Sequence, residues 1–202
     1  SRARQWTTFP EILDPKETGH PVLSIVNGHS PRELARALEE EGGEESPESI
    51  PNSIELGVGG KRHAIITGPN AQGKSTAVRM VGQLLTLALM GCPVPAQSMK
   101  VTPLGLIVYL HPKDDPAIGD SLFMAEAREL WRGVYRRAAR NPFQLVIMDE
   151  IAPGTIQQVR EDFESIFLEE LDRTGVISLP ATHNLGTTLL GEKANGPFTN
   201  LY

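Results

Sequence analysis

Residues 68 to 75 read Gly68-Pro-Asn-Ala-Gln-Gly73-Lys74-Ser75, and this stretch decides the fold class. It fits the pattern G-x-x-x-x-G-K-[ST] at every fixed position. Glycines let the backbone wrap tightly and approach a phosphate group, and the backbone N–H groups at the start of the next helix then face the anion. The stretch therefore predicts a phosphate-binding loop.

The segments on both sides of this loop have the character that such a loop requires. Residues 62–67 form a short apolar run, typical of a buried parallel strand. After the loop, apolar residues recur at helical spacing over residues 78–88. In a strand–loop–helix unit of this kind, Lys74 is expected to contact the β- and γ-phosphates of a nucleotide, and the Ser75 hydroxyl to bind Mg²⁺.

A second strand candidate ends in two adjacent carboxylates. Residues 143–148 are mostly apolar, and Asp149 and Glu150 follow them, 75 positions after Lys74. Acidic side chains at the carboxyl end of a parallel strand lie near the phosphate-binding loop of such a sheet. We expect Asp149 to hold Mg²⁺ through water, and Glu150 to orient or deprotonate the attacking water.

His183 follows a third strand candidate, residues 176–179. A polar side chain at this position can contact the γ-phosphate and respond to its presence, although a single histidine is more often structural or merely exposed. Strand and helix candidates alternate along the chain, which indicates an α/β fold with a mostly parallel sheet flanked by helices. The candidates at residues 21–26 and 53–56 add an antiparallel portion near the N-terminus.

Composition limits the remaining possibilities. The chain has 202 residues and a net charge of −6, and eight glutamates against one arginine fall within residues 33–55. We expect residues 39–50 to form a disordered acidic loop. The remainder of the chain is almost neutral, and its charge neither favours nor excludes nucleic acid as a partner.

The cysteine content and the hydropathy limit the setting of the chain. The single cysteine, Cys92, excludes an internal disulfide and favours a cytoplasmic setting, and no apolar run reaches the length of a membrane span. We interpret residues 1–202 as one domain from a longer chain.

Five segments carry a resemblance to a known family. They are Thr67-Gly-Pro-Asn-Ala-Gln-Gly-Lys-Ser-Thr76 with the nearby Arg79, Val94-Pro-Ala96, Asp120-Ser-Leu-Phe-Met-Ala-Glu126, Asp149-Glu-Ile-Ala-Pro-Gly-Thr155 and Ala181-Thr-His183. In this order they resemble the signatures of the ATPase domain of the MutS family of DNA mismatch-repair proteins. Gly19-His-Pro-Val-Leu23 and Pro51-Asn52 also resemble the family segment that leads into this domain, so the resemblance spans roughly residues 19–185.

The resemblance implies a P-loop ATPase of the ABC type that binds ATP and Mg²⁺ between two domains arranged head to tail. The partner is a second copy or a MutS-like subunit, with DNA contacted through domains outside residues 1–202. Catalytic roles fall to Lys74, Glu150 and His183, and metal binding to Ser75 and Asp149. Nucleotide contacts fall to Gly68, Pro69, Asn70, Ala71, Gln72, Gly73, Lys74, Ser75 and Thr76, and to Ser121, which would reach the nucleotide of the partner subunit.

Three positions depart from the family pattern and predict a divergent member. Leu122 replaces a threonine of the signature segment, Pro153 replaces an arginine, and Leu89 replaces a glutamine. Two alternatives therefore stay open: a nucleotide-gated interaction module with little turnover, and another ABC-type ATPase that does not act on mismatches. A small-molecule kinase is disfavoured, because the adjacent Asp149 and Glu150 suit water as the phosphate acceptor.

Overall fold

The computed structural model describes residues 7–39, 50–68, 73–110, 122–151, 156–193 and 195–201. Its strands are β1 Glu11–Ile12, β2 Leu23–Gly28, β3 Asn52–Leu56, β4 His63–Thr67, β5 Ser98–Val101, β6 Gly105–Leu110, β7 Gln144–Asp149, β8 Ile177–Thr182 and β9 Phe198–Leu201. Its α-helices are α1 Pro15–Thr18, α2 Pro31–Glu39, α3 Lys74–Leu89, α4 Leu122–Glu129, α5 Arg136–Ala138, α6 Gln157–Asp172 and α7 Leu185–Glu192. The predicted α/β class, with parallel and antiparallel sheets, is confirmed.

The larger sheet has five strands in the order β6-β7-β8-β4-β9, and every neighbouring pair is parallel. Strands β4 and β8 are buried along their whole length, which explains why their sequences are almost continuously apolar. Strand β8 lies between β4 and β7, so the phosphate-loop strand and the acidic strand are not direct neighbours. The segment carrying His183 therefore emerges between them.

The smaller sheet has the order β1-β5-β2-β3. Strand β2 is antiparallel to both β3 and β5, and the short β1 is parallel to β5. The predicted antiparallel portion is thus present, but it is not built from the N-terminal residues alone. Its strand β5 follows α3 in the chain, and the sequence did not predict it because only four residues alternate between exposed and buried.

Helix α3 packs between the two sheets and forms the first core. Its buried residues, including Val81 and Leu84, contact side chains from β2 and β3 as well as from β7 and β8. The second core lies on the opposite face of the larger sheet. Successive residues of β4 divide between the cores, with Ala64 and Ile66 in the first and Ile65 in the second.

Three sequence predictions change in detail. The sequence predicts one helix from Leu122 to about Arg140, whereas the structure has α4, a π-helical segment Leu130–Tyr135 and α5. Helical spacing also predicts that Ile166 of α6 is buried, but Ile166 is more than half exposed and Leu168 is fully buried instead. Glu39, predicted to be the first residue of the acidic loop, is the last residue of α2, and residues 40–49 of the predicted loop lie outside the described residues. Among the helices that the structure describes, none is long and apolar enough to cross a membrane.

Candidate functional site

The carboxyl ends of β4, β8 and β7 meet at one edge of the larger sheet. Thr67, the last residue of β4, is paired with Thr182 at the end of β8. Asp149, the last residue of β7, is paired with Ala181 on the other side of the same strand. The polar residues predicted from three separate motifs are therefore gathered at this edge, where parallel α/β sheets bind their ligands.

The N-terminus of α3 opens onto this edge. Gly68 and Gly73 have φ values of 147° and 86°, a range that favours glycine, so the backbone on both sides of the loop needs these residues. The N–H of Ala77 donates to the carbonyl of Gly73, whereas the N–H groups of the three residues before Ala77 have no partner within the helix. Pro69, Asn70, Ala71 and Gln72 lie outside the described residues.

The charges at this helix end suit an anionic ligand. The N-cap residue Gly73 provides no side-chain hydrogen bond, and the first turn contains no acidic residue. It contains Lys74, a cation placed at the positive end of the helix dipole, where carboxylates are usually favoured. Lys74, Ser75 and Thr76 are half-buried, so backbone donors and a positive charge lie together at this helix end, where an anion is favoured.

A chain of close polar contacts joins the three motifs. The Lys74 Nζ lies 2.5 Å from the carbonyl oxygen of Gly68 and 3.2 Å from Nδ1 of His183. The Nε2 of His183 lies 3.1 Å from a carboxylate oxygen of Glu150. The structure therefore brings together Lys74, His183 and Glu150, the three residues predicted to be catalytic.

The chemistry of lysine fixes the tautomer of His183 in this chain. A lysine ammonium group donates hydrogen bonds and accepts none, so Nδ1 of His183 must be the unprotonated acceptor. The imidazole nitrogen Nε2 then lies 3.1 Å from a carboxylate oxygen of Glu150. His183 therefore connects the cation at the phosphate loop to the carboxylate at the end of β7.

The backbone at Glu150 is held in an unusual conformation. Glu150 has a φ of 57°, in the left-handed region that a residue with a Cβ seldom adopts. Its N–H donates to the carbonyl of Ala181 at 3.0 Å, which extends the pairing of β7 with β8 by one residue. Such a conformation costs on the order of 1–3 kcal/mol and is typical of functional sites. Here it turns the Glu150 side chain towards His183.

A cavity of about 170 Å³ lies beside the start of α3. Gly73 and Lys74 line one side of it, and Asn52 and Ile54 of β3 line another. The buried Thr67 hydroxyl, which also lines the cavity, has no hydrogen-bond partner among the described residues. A buried hydroxyl of this kind normally has a partner, so the cavity is suited to a ligand that carries polar groups.

The predicted metal ligands fit a hard cation. Asp149 is half-buried at the end of β7, and Ser75 is half-buried in the first turn of α3. A carboxylate and a hydroxyl are oxygen ligands of the kind that Mg²⁺ prefers, and Mg²⁺ keeps several waters when so few protein ligands are present. The two residues therefore suit an ion that completes its shell with water and phosphate oxygens.

Glu164 of α6 is a residue of this site that the sequence analysis missed. Its side chain is fully buried, and one carboxylate oxygen accepts hydrogen bonds from Thr182, Asn184 and Thr187 at 3.0, 2.6 and 2.9 Å. Thr182 and Asn184 flank His183, so Glu164 fixes the segment that carries the histidine. Burial raises the pKa of Glu164, and these three hydrogen bonds and Arg160 oppose the shift.

Comparison with known families agrees with this arrangement. The family model described as MutS domain V matches residues 64–195, which include the phosphate loop, Asp149, Glu150 and His183. The chain belongs to the MutS family. The resemblance inferred from the sequence is therefore confirmed.

Several MutS-family relatives are similar over most of the chain. A DNA mismatch repair protein MutS from Sorangium cellulosum is 38% identical over 73% of the chain and 16% of its own length. The proteins of the same name from Caldicellulosiruptor saccharolyticus and Acetivibrio thermocellus are 36% and 31% identical over 90% and 96% of the chain. The chain spans about a fifth of the length of these two relatives, 19% and 21%.

Two of the three departures from the MutS-family pattern fall at the ends of helices. Leu89 is the last residue of α3 and is 45% exposed, and Leu122 is the first residue of α4. Ser121 and Pro153 lie outside the described residues. The role of Ser121 towards a partner subunit therefore stays a prediction.

Proposed function

We propose that the chain is the ATP-binding and Mg²⁺-dependent ATP-hydrolysing domain of a MutS-like DNA repair or recombination protein, working as a nucleotide-gated dimer. The observation that carries this proposal is the chain of polar contacts from Lys74 through His183 to Glu150 at the N-terminus of α3. Membership of the MutS family supports the same function.

In this proposal the helix end and Lys74 bind the phosphates. The N–H groups of Lys74, Ser75 and Thr76 point towards the anion, and Lys74 adds a charge-assisted hydrogen bond. Asp149 and Ser75 hold Mg²⁺, which when bound neutralises charge on the phosphate oxygens. The cavity beside β3 and β4 receives a further part of the nucleotide.

Hydrolysis then depends on Glu150 and His183. Glu150 accepts a hydrogen bond from the attacking water and aligns it, which places water rather than another acceptor opposite the leaving group. The Nε2–H of His183 holds the Glu150 carboxylate in its strained position. Because His183 also contacts Lys74, a phosphate that attracts Lys74 changes the hydrogen bonding of Glu150, and the site responds to the presence of the γ-phosphate.

The test is a measurement of MgATP affinity by calorimetry, together with phosphate release. Lys74→Met is expected to weaken binding by roughly 10- to 150-fold, because it removes a charge-assisted hydrogen bond worth about 1.5–3 kcal/mol. Lys100→Met removes the same group from an exposed position, 57% accessible, and should leave affinity unchanged. If the unaltered chain does not bind MgATP, the proposed function is wrong.

The nucleotide-gated module with little turnover remains as a second candidate, and the three departures from the family pattern favour it. It predicts that the unaltered chain binds MgATP tightly but releases phosphate no faster than the Glu150→Gln variant. An active ATPase predicts that this substitution abolishes turnover while affinity is retained. Comparing the two proteins in one assay decides between the candidates.

A further inference from the structure

A straight row of arginines runs along the exposed side of the helix that begins at Leu122. The row consists of Arg128, Arg132, Arg136 and Arg140, all exposed, and the exposed Arg137 lies beside it. These are five of the thirteen arginines of the chain, and residues 128–140 contain one acidic residue, Glu129. This short segment is therefore strongly basic in a chain whose net charge is −6.

The π-helical segment keeps the row straight. In an α-helix, residues four apart drift around the axis, because one turn takes 3.6 residues. The π-helical segment Leu130–Tyr135 has wider turns, with hydrogen bonds between residues five apart, and it reduces this drift. The other row at the same spacing, Leu130, Val134 and Ala138, is buried in the second core. The arginine row is displaced from it by two residues and faces away from the protein.

Internal ion pairs do not account for the arginines that follow Arg128. Arg132, Arg136, Arg137 and Arg140 take part in none of the ion pairs found among the described residues. Arginines in the last turn of a helix interact favourably with the helix dipole, but this interaction fades beyond one turn. Arg132 is two turns from the end, so the dipole does not explain its position.

The row has the chemistry and length of a phosphate-binding surface. All of its cations are arginines, whose planar guanidinium groups match phosphate oxygens with paired hydrogen bonds. From Arg128 to Arg140 the row extends about 18 Å at most, at 1.5 Å per residue. One strand of duplex DNA rises about 3.4 Å along the axis per phosphate while it winds around that axis, so successive phosphates lie further apart than this and the row can follow up to about four of them.

We propose that the arginine row binds the phosphate backbone of duplex DNA without reading its sequence. The choice of DNA as the polyanion rests on the proposed function, while the surface itself rests on the exposed arginines. The sequence analysis assigned DNA contacts to domains outside residues 1–202. This proposal places a contact on the domain itself, on the face of the larger sheet opposite α3.

The test measures binding of the 202-residue chain to a labelled random-sequence duplex by fluorescence anisotropy, without nucleotide, over a series of NaCl concentrations. Four phosphate contacts predict a roughly 100-fold loss of affinity between 50 and 200 mM NaCl, from a slope of about −0.9 per contact. A triple variant that combines Arg132→Gln, Arg136→Gln and Arg140→Gln should lose only roughly fourfold in affinity over the same range of NaCl.

Two control variants make the result specific. The first control variant combines Lys100→Gln, Arg173→Gln and Lys193→Gln, which removes three exposed charges elsewhere on the protein. Its DNA binding should keep the full salt dependence. Replacing Arg132, Arg136 and Arg140 with lysine should also keep it, because the charge remains. Circular dichroism of each variant checks that the helices are intact.

The proposal is overturned if the unaltered chain does not bind the duplex at 50 mM NaCl, or if the glutamine variant matches the control variant. It is also overturned if poly-glutamate, or vesicles containing phosphatidylserine, bind the row more tightly than DNA does. MgATP affinity, measured on the same samples, is independent of the row. A failure of the DNA proposal is therefore distinguishable from a failure of the proposed ATPase function.

Discussion

At the scale of single residues, the proposed coupling within the site depends on the side chain of His183. His183→Ala removes the N–H that holds Glu150, while Lys74 and the N-terminus of α3 remain. We expect phosphate release to fall about 100-fold or more, the effect of losing an aligned general base, with MgATP affinity changed by no more than about threefold. Steady-state kinetics measures phosphate release, and calorimetry measures MgATP affinity. Substitution of the exposed His20 with alanine is the control. An equal loss of affinity and turnover in His183→Ala would contradict the coupling role.

The residues of the site differ in how far the sequence could predict them. Lys74, Asp149 and Glu150 could be predicted because each lies in a local pattern whose chemistry follows from its spacing. Glu164 could not be predicted in the same way, since it stands in a helix with many other acidic residues. Its position four residues before the buried Leu168 and seven before Leu171 was the available signal. Only the fold shows that Thr182, Asn184 and Thr187 converge on it.

At the scale of elements, Glu164 joins α6 to the end of β8 and to α7. Because burial raises the pKa of Glu164 above its usual value of 4.5, the folded protein prefers the protonated carboxyl. The contribution of this group to folding stability is full below pH 4.5 and is lost as the pH rises through the raised pKa. Glu164→Gln mimics the protonated form, so we expect the variant to gain stability relative to the unaltered chain between pH 5 and pH 8.

Urea denaturation of both proteins at several pH values measures this difference. The exposed Asp162 of the same helix provides the control, because Asp162→Asn removes a carboxylate that stays in solvent. The prediction is contradicted if the stability difference between Glu164→Gln and the unaltered chain does not change with pH. The buried carboxyl would then have the same pKa in the folded and the unfolded state.

The turn between β3 and β4 joins the two sheets and sets the position of the phosphate-loop strand. Gly57 has a φ of 76°, and a Cβ there would lie 1.9 Å from the carbonyl oxygen of Pro21. Gly57→Ala is expected to cost about 3 kcal/mol or more of unfolding free energy, because both the backbone conformation and the space exclude a methyl group. Gly60→Ala, with a similar φ of 79° but open space, should cost about 1 kcal/mol. Equal costs in urea denaturation would show that the contact with Pro21 is unimportant.

The elements that the sequence failed to predict are those fixed by distant pairing. Strand β5 has four residues and acquires its role from β1 and β2, which precede it by more than 70 positions. The place of β8 between β4 and β7 is also set by long-range contacts, and no local pattern encodes it. Strands β4 and β7 were predictable because both are apolar and lead directly into a motif.

At the scale of the whole molecule, the proposed dimer brings a second subunit to the nucleotide. Glu150→Gln should bind MgATP without hydrolysing it, and we expect its mass in solution to change from that of a monomer to that of a dimer. Ser121→Arg in the same protein should abolish this change, because a bulky cation would replace the small hydroxyl predicted to reach the partner's nucleotide. Light scattering with and without MgATP measures the mass.

Loss of MgATP binding in the double variant would mean that Ser121 acts within its own subunit. A dimer that persists in this variant would mean that the subunits associate through a different surface. Either result would contradict the role of Ser121 between subunits and would leave nucleotide binding by Lys74 to be judged from the calorimetry.

The central position of β8 has a consequence for how this protein is made. Ribosomes produce β4 and β7 before β8, so the emerging chain holds two apolar strands that cannot pair with each other in the finished arrangement. Until Thr182 has been synthesised, both strands present open edges, which are surfaces prone to aggregation. A nascent chain that stalls within α6 therefore exposes two strand edges to chaperones, and Lys74, Glu150 and His183 come together only after β8 has been synthesised.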